Sequence, residues 1–242
     1  MAADIQESAI PRVFPPFPGE RRVNIYANMD TAKEVGGDFY DFYFSGPQKI
    51  TFLIADVSDK GVPAALFMMR AKTIIKSIAQ TGKPIAEVVT EANNALCEGN
   101  GANMFVTAWI GELDLESGRV SYVNAGHNPP ILIRTDDEED YLRTRPGLVL
   151  GAMSGIKYRS QEVLLEPGDA IYLYTDGVTE QTNAQGELFG EDRLLSLISF
   201  GHFQAEPQKI LASVSSRISA FAANTPQADD RTQLVICYRG DA

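Results

Sequence analysis

Four aspartates stand at the ends of segments with the pattern of buried strands. Two of them follow an apolar run and two precede one, and in chain order they are Asp38, Asp56, Asp176 and Asp229. In an antiparallel sheet the end of one strand lies beside the start of its neighbour, so these carboxylates could meet on one rim. Oxygen-only ligands suit Mg²⁺ or Mn²⁺, whereas zinc sites favour His and Cys. The pattern therefore predicts a site for hard divalent cations.

A pair of such cations suits hydrolytic phosphoryl transfer. The cations lower the pKa of a bound water, orient it in line and neutralise developing charge on the phosphate, so no covalent nucleophile is needed. Other phosphate chemistries lack their sequence marks, because no CxxxxxR follows either cysteine and neither DxDxT nor GxxxxGK occurs. These absences argue against a cysteine phosphatase, an aspartyl-phosphate mechanism and a phosphate-loop enzyme.

The elements that must position the acids are strands mixed with pairs of helices. The pattern predicts strands at 22–30, 39–44, 50–55, 104–114, 119–124, 131–134, 158–165, 170–175 and 232–238, and helices at 62–81, 84–97, 191–200 and 207–222. For the acidic cluster at 136–140 we expect a solvated loop. Because hairpin connections predominate, we expect an α+β architecture of two antiparallel sheets with helices outside.

Composition narrows the class of protein. The chain has 242 residues and a net charge of -11, which fits one large domain or a domain with a short extension. Such acidity argues against nucleic acid as the main partner. The sequence shows no signal peptide, and the apolar-rich stretch at 62–79 carries three basic residues, so we expect no membrane insertion by this segment. Cys97 and Cys237 lack metal-binding spacing and are expected to be reduced core residues of a cytoplasmic protein.

Residues 1–20 differ from the rest of the chain. A short helix is expected at 2–10, and regular structure is then prevented by four prolines, Pro11, Pro15, Pro16 and Pro18. So short a helix is marginal alone. We therefore expect residues 1–20 to be the end of a linker helix and a Pro-rich linker from an upstream regulatory module, and residues 21–242 to form the functional domain.

Five motifs occur in a fixed order along the chain. They are GGDFYD at 36–41, ADVSDKG at 55–61, NAGHNPP at 124–130, YTDGVTE at 174–180 and DDRT at 229–232. Each is weak alone, but the ordered set resembles the SpoIIE/RsbU-type serine phosphatases of the metal-dependent protein phosphatase (PPM) superfamily, over residues 22–238. IQESAIP at 5–11 also resembles the linker that joins such domains to upstream sensors. The resemblance implies an α/β-sandwich with two central antiparallel sheets and two Mn²⁺ or Mg²⁺ ions per domain.

The resemblance also implies roles for individual residues. Asp56 would bridge both metals, with the Val57 carbonyl as a further ligand. Asp176 and Asp229 would hold the second metal. Asp38 would coordinate directly or through water.

Three further positions leave alternatives open. Asp230 could replace Asp229, which we favour because it matches the first acid of the family's final motif. Lys33 lies five residues before Asp38, where eukaryotic relatives carry a phosphate-binding arginine, and otherwise it is a solvated lysine. Glu180 matches an acid linked to a third metal in some relatives.

Two positions, Asp59 and Ser58, depart from the family pattern. The sequence also suggests locations for the two histidines. Asp59 replaces the usual glycine, and it could change metal affinity or face solvent. Ser58 stands where eukaryotic relatives place a histidine proposed as general acid, so leaving-group protonation would fall to metal-bound water or another group. His127 is expected in a turn, with a structural or supporting role, and His202 in a surface loop.

The resemblance implies a cytoplasmic protein serine/threonine phosphatase in bacterial signalling, in which metal-activated water attacks phosphorus in one step. Its expected substrate is a phosphorylated STAS-domain protein, an anti-sigma-factor antagonist. Its expected partners are an upstream sensor and a second copy bound through the N-terminal helix. The alternatives are a small-molecule phosphohydrolase and a non-catalytic partner-binding module, and the retained ligand acids disfavour the second of these.

Overall fold

The computed structural model describes residues 2–135, 139–199 and 206–240. The strands in these ranges are β1 (Val23–Asp30), β2 (Phe39–Gly46), β3 (Lys49–Val57), β4 (Val106–Asp114), β5 (Arg119–Ala125), β6 (Ile131–Ile133), β7 (Glu139–Tyr141), β8 (Gln161–Leu164), β9 (Ala170–Tyr174) and β10 (Arg231–Tyr238). The helices are α1 (Ala2–Ala9), α2 (Val62–Ala79), α3 (Ile85–Cys97), α4 (Asp176–Thr179), α5 (Glu191–Ser199) and α6 (Pro207–Ala222).

The chain divides into two compact units, each built around one five-stranded sheet. The first unit comprises Met1–Pro11, Lys33–His127 and Thr144–Leu164, and the second comprises Arg12–Ala32, Asn128–Arg143 and Leu165–Ala242. The first sheet has the order β2-β3-β4-β5-β8 and the second β1-β10-β9-β6-β7. All neighbouring strands are antiparallel. The predicted α+β class with two antiparallel sheets is confirmed.

The first unit is organised around β3. The predicted run at 50–55 forms the middle of this strand, and every residue in it is inaccessible to solvent. Helices α2 and α3 pack against the same sheet. On α2 the buried positions recur every three or four residues, as a helix with one face on a core requires; they include Ala64, Met68, Ala71 and Ile75. The sheet and these helices together set the position of the Asp56 end of β3.

The second unit has its own apolar core between its sheet and two helices. Side chains of β6, β9 and β10 meet those of α5 and α6, and the fully buried members include Tyr172, Leu194, Ile210, Val214 and Val235. Two hydrophobic strands, β9 and β10, lie side by side at the centre of this sheet. Their shared edge fixes where the segments carrying Asp176 and Asp229 run.

Two strand predictions differ from the structure. The predicted strand at 158–165 is shortened to Gln161–Leu164, because Tyr158 instead anchors a loop through a hydrogen bond from its hydroxyl to the Leu148 carbonyl at 2.9 Å. In the acidic cluster, Glu139 and Asp140 do not form the predicted loop but belong to β7, paired with Ile133 and Leu132 of β6. Backbone hydrogen bonds at a sheet edge form without apolar side chains, so the acidic composition of this segment did not indicate a strand. Residues 136–138 lie outside the described ranges.

Some predictions concern single residues rather than elements. Both cysteines are free. Cys237 is buried in the second core, and burial raises the pKa of its thiol, whereas Cys97 is only partly buried. His202 lies outside the described residues. None of the helices in the described part of the chain combines the length and apolarity needed to cross a membrane.

Candidate metal centre

Asp38 and Asp56 are brought together by the pairing of β2 with β3. Asp38 directly precedes β2, and Asp56 is the penultimate residue of β3. In the antiparallel register Phe39 lies opposite Ala55, and Asp38 and Asp56 are the residues that directly adjoin this pair at one end. Asp38 is only 2% exposed, whereas Asp56 is half-buried. The first unit therefore holds two of the predicted carboxylates at one end of one strand pair.

The backbone of Gly37 lies unusually close to the end of β3. A Cβ atom built on Gly37 would stand 2.9 Å from the Val57 carbonyl oxygen and 3.4 Å from the Ala64 Cβ in the first turn of α2. A side chain at this position would therefore force β3, α2 or the Asp38 segment to move. The glycine of the first motif lets the backbone directly before Asp38 approach the Val57 carbonyl, which is the predicted main-chain ligand.

The segment after β3 is held by Ser58. Its backbone N–H donates to the Phe105 carbonyl at 2.9 Å, and its Oγ accepts from the Phe105 N–H at 3.0 Å. The structure thus gives Ser58 a positioning role in this loop. Asp59 is exposed and has a φ of 68°, which is the left-handed region that glycine favours and aspartate tolerates. Asp59 could change metal affinity or face solvent, and the structure supports the second alternative.

Asp176 and the Asp229–Asp230 segment are brought together by β9 and β10. Tyr174 lies opposite Gln233 in this strand pair, and the Thr175 N–H donates to the Thr232 carbonyl at 3.0 Å. A Cβ on Gly177 would lie 1.9 Å from the Asp230 carbonyl oxygen. The Gly177 backbone, directly after Asp176, therefore packs against the Asp230 carbonyl in the segment that leads into β10.

Asp229 and Asp230 have different surroundings. Asp230 is 8% exposed, and its Oδ1 accepts a hydrogen bond from the Ala32 N–H at 2.8 Å. Asp229 is half-buried, and its Oδ1 accepts from the Asp230 N–H at 2.9 Å. Asp230 thus ties residue 32 to the start of β10, which fits the preference for Asp229 as the ligand.

Lys33 and Glu180 are both exposed. Glu180 follows α4, and its N–H donates to the Asp176 carbonyl at 2.7 Å, so it lies one helical turn from Asp176. Lys33 belongs to the first unit and directly follows Ala32. Their predicted roles, in holding a third metal and in binding the substrate phosphate, stay predictions.

A supporting contact beside Asp56 was not foreseen from the sequence. Thr107 lies opposite Asp56 in the pairing of β3 with β4, and its Oγ1 is 2.9 Å from His127 Nδ1. His127 is buried, and its backbone N–H donates to Asn124 Oδ1 at 2.8 Å. The Asn124 side chain holds His127 in the segment after β5, and through Thr107 the histidine supports the strand beside Asp56. Thr107 could not be found because its position depends on cross-strand register.

The predicted single rim is wrong, because the strands concerned belong to two sheets. Asp38 and Asp56 lie at the β2–β3 pair, whereas Asp176 and Asp229 lie at the β9–β10 pair. Within the described ranges, no three or more His, Cys, Asp or Glu side chains stand close enough to hold a metal ion. Each pair nevertheless offers only oxygen donors, which suit Mg²⁺ or Mn²⁺. The complete ligand set stays a prediction.

The model of the family described as Stage II sporulation protein E (SpoIIE) matches residues 46–239. The chain belongs to the SpoIIE family. Its ordered motifs predict the same family, and four of the five lie within the matched range. The SpoIIE-family assignment therefore has two supports, the motif order and the match over most of the chain.

Two relatives of the SpoIIE-family chain are similar over much of its length. Protein IcfG of Synechocystis sp. is 28% identical over 262 aligned residues, which cover 97% of this chain and 40% of that protein. Phosphoserine phosphatase RsbU of Bacillus subtilis is 32% identical over 188 residues, which cover 78% of this chain and 55% of that protein. The chain therefore spans about half the length of these curated relatives, 40% and 55% respectively.

Solved structures share the fold of this SpoIIE-family chain. The SiaA-PP2C domain of Pseudomonas aeruginosa has a TM-score of 0.83 at 24% identity, covering 99% of this chain and 94% of that one. The RsbU and RsbW domains of Rv1364c from Mycobacterium tuberculosis give 0.78 at 26% identity, covering 91% and 61%. RsbX in complex with magnesium gives 0.68 at 16% identity, covering 90% and 96%. The overall fold is thus that of known PP2C-type domains.

Gly177→Ala tests whether the contact with the Asp230 backbone positions the Asp176 segment. We expect a loss of about 2 kcal/mol or more in unfolding free energy, because the added methyl meets a backbone carbonyl that cannot turn away. Chemical denaturation measures the change. Gly19→Ala is the matched control, because Gly19 belongs to the same unit and its Cβ would meet nothing within 4 Å. Equal stability of the two variants would contradict this packing.

Proposed function

We propose that the chain is a Mn²⁺- or Mg²⁺-dependent protein serine/threonine phosphatase domain that acts on a phosphorylated partner protein. The observation that carries this proposal is that Asp38 and Asp56 both adjoin the Phe39–Ala55 pair of β2 and β3, in the motif order of the SpoIIE family. A second pair at β9 and β10 repeats the construction. A non-catalytic binding module would have no need to retain four acids at these strand ends.

Individual residues of the chain would have distinct roles in binding the metals and the substrate phosphate. Asp38, Asp56 and the Val57 carbonyl would hold cations at the first sheet, and Asp176 and Asp229 would do so at the second. The cations, when bound, supply Lewis-acid activation of water and neutralise charge on the phosphate. The magnesium complex of the related RsbX supports this choice of metal. Lys33 would bind the substrate phosphate, for which its exposed ammonium is suited.

The proposed substrate is a phosphorylated STAS-domain protein that antagonises an anti-sigma factor. The similarity to RsbU, which is named as a phosphoserine phosphatase, supports this proposal. So does the likeness to a chain in which RsbU and RsbW domains occur together. We place this reaction in the bacterial cytoplasm, where the two free cysteines would stay reduced.

Hydrolysis of an aryl phosphate with Mn²⁺ and with EDTA tests the proposed activity. We expect Mn²⁺-dependent turnover by the wild type and a fall of about 100-fold or more in Asp176→Asn, because a metal ligand is lost. Asp192→Asn is the control, since Asp192 is an exposed acid of α5 in the same unit. Equal rates in wild type and Asp176→Asn would contradict the proposal.

The same assay, run with other substrates, separates the competing functions. A phosphatase of the proposed kind hydrolyses a serine-phosphorylated STAS-domain protein with a higher kcat/KM than free phosphoserine or a sugar phosphate. Faster hydrolysis of the small metabolites would indicate a small-molecule phosphohydrolase. Tight binding of the phosphoprotein without turnover, with Mn²⁺ bound, would indicate a binding module.

The N-terminal segment contacts the first motif directly. The Gln6 side chain donates from Nε2 to the Gly36 carbonyl at 2.7 Å and accepts the Gly36 N–H on Oε1 at 3.1 Å. The Tyr40 hydroxyl donates to the Pro11 carbonyl at 2.7 Å. Gln6 is 4% exposed, so both of its bonds are shielded from water. We propose that an upstream sensor, and a second copy bound through α1, act on the Asp38 segment through this contact.

Gln6→Ala tests this route. We expect the half-saturating Mn²⁺ concentration to rise about fivefold, because each lost hydrogen bond to the Gly36 peptide is worth about 1 kcal/mol. Ser8→Ala is the control, since Ser8 bonds only within its own helix, to the Ile5 carbonyl. An unchanged Mn²⁺ requirement in Gln6→Ala would exclude the route. Sedimentation equilibrium of the wild type tests the proposed homodimer, and a monomer at all concentrations would contradict it.

A further inference from the structure

Asp41 and Lys72 form a buried ion pair between β2 and α2. The Lys72 Nζ lies 2.5 Å from Asp41 Oδ2. Asp41 is 1% exposed and Lys72 is 8% exposed. Among the lysines in the described ranges, Lys72 is the only buried one, and it lies on the same face of α2 as Met68 and Ile75. A charged residue thus occupies a position where the helix pattern calls for an apolar one.

Other groups enclose the same carboxylate. Asp41 Oδ1 accepts the Phe42 N–H at 3.0 Å. Lys76, one turn along α2, has its Nζ 3.8 Å from Asp41 Oδ2 and 4.8 Å from the centre of the Tyr43 ring. Burial first, and then the charge of Asp41, raises the pKa of the Tyr43 phenol. The carboxylate is therefore held by a backbone N–H and two lysines, beside an aromatic ring.

Stability alone does not explain a pair of this kind. Removing two charges from water costs about as much as their attraction returns, so apolar replacements of similar volume are often neutral or stabilising. Removing only one partner is costly, because the other charge is left buried. What the charged pair adds is geometric: Lys72 must face Asp41, and the helix cannot slide or turn on the strand without breaking the contact.

The ion pair is the second of two contacts between the same elements. The first joins Gly37, which precedes β2, to Ala64 in the first turn of α2. Gly37 lies four residues before Asp41 and two residues before the start of β2 at Phe39. From Ala64 to Lys72 the helix advances about 12 Å, at about 1.5 Å per residue. Two contacts this far apart along α2 fix the helix on the strand.

We propose that Asp41 and Lys72 are positioning residues for the Asp38–Asp56 half of the metal centre. By holding α2 in one place on β2, the pair keeps Ala64, Gly37 and the Val57 carbonyl in contact, and so keeps Asp38 and Asp56 at the same end of the β2–β3 pair. The metal-binding part of this inference rests on the proposed function. The positioning part concerns the metal-free chain and stands independently of it.

The test is the double variant Asp41→Leu/Lys72→Met, which replaces the ion pair by an apolar pair of similar length. We expect its thermal unfolding midpoint to equal or exceed that of the wild type. In the metal-free protein we expect amide hydrogen exchange at 36–40 and 57–66 to become about tenfold faster. We expect calorimetric Mn²⁺ affinity to fall about tenfold.

Two further variants keep the test decisive. Asp41→Asn/Lys72→Gln retains a neutral hydrogen bond, so we expect slow, wild-type exchange in it. Lys49→Met is the control, because it breaks an exposed ion pair with Glu112 in the same sheet and should change neither readout.

Wild-type exchange rates at 36–40 and 57–66 in the apolar double variant would overturn the positioning role. If the apolar variant fails to fold, Asp41→Asn alone takes its place, and wild-type exchange rates in that variant would overturn the role equally. If the wild type itself binds no Mn²⁺, the proposed function fails, while the exchange data still decide the positioning role.

Discussion

In each of the two units, the segment that carries a predicted ligand depends on a close approach of glycine backbone to a neighbouring carbonyl. Gly37 comes so near the Val57 carbonyl that a methyl group would stand 2.9 Å from it, and at Gly177 the same test gives 1.9 Å from the Asp230 carbonyl. In each case the glycine adjoins a predicted ligand, Asp38 or Asp176. A side chain at either place would separate an aspartate from the strand end that it must share. The glycines therefore set the distance at which carboxylates and carbonyls can meet.

This arrangement concentrates negative charge where the strands end. Asp38 is almost fully buried and adjoins, with Asp56, the same end of the β2–β3 pair, and the chain as a whole carries a net charge of -11. A divalent cation would offset this negative charge. Any cation that binds the folded chain more tightly than the unfolded one also adds to its stability. The interactions that hold these segments in the described ranges include the glycine contacts, the Ser58–Phe105 bonds and the Asp41–Lys72 pair.

The local sequence pattern predicted most of the strands and helices, but it did not predict which strands pair with each other. The run at 50–55 could be assigned to a buried strand because every residue in it is apolar or β-branched, and the four aspartates could be placed at strand ends. Sequence could not show that these ends belong to two sheets, since pairing partners are chosen by the whole fold. Thr107 could not be identified as the neighbour of Asp56 for the same reason. The pairing of Lys72 with Asp41 could not be predicted either, because the two residues lie 31 positions apart in the chain. Glu139 and Asp140 belong to a strand because their backbones pair with β6, and amino-acid composition does not indicate such pairing.

The central claim is that Asp56 and Asp176 are both ligands of divalent cations, although they stand at the ends of strands in different sheets. Isothermal calorimetry with Mn²⁺ on the wild type, Asp56→Asn and Asp176→Asn tests it most directly, because it needs neither a substrate nor an activator. The account predicts two ions per chain in the wild type, and weakened or lost binding in each variant with the fold retained by circular dichroism. Two ions bound with wild-type affinity in either variant would contradict it.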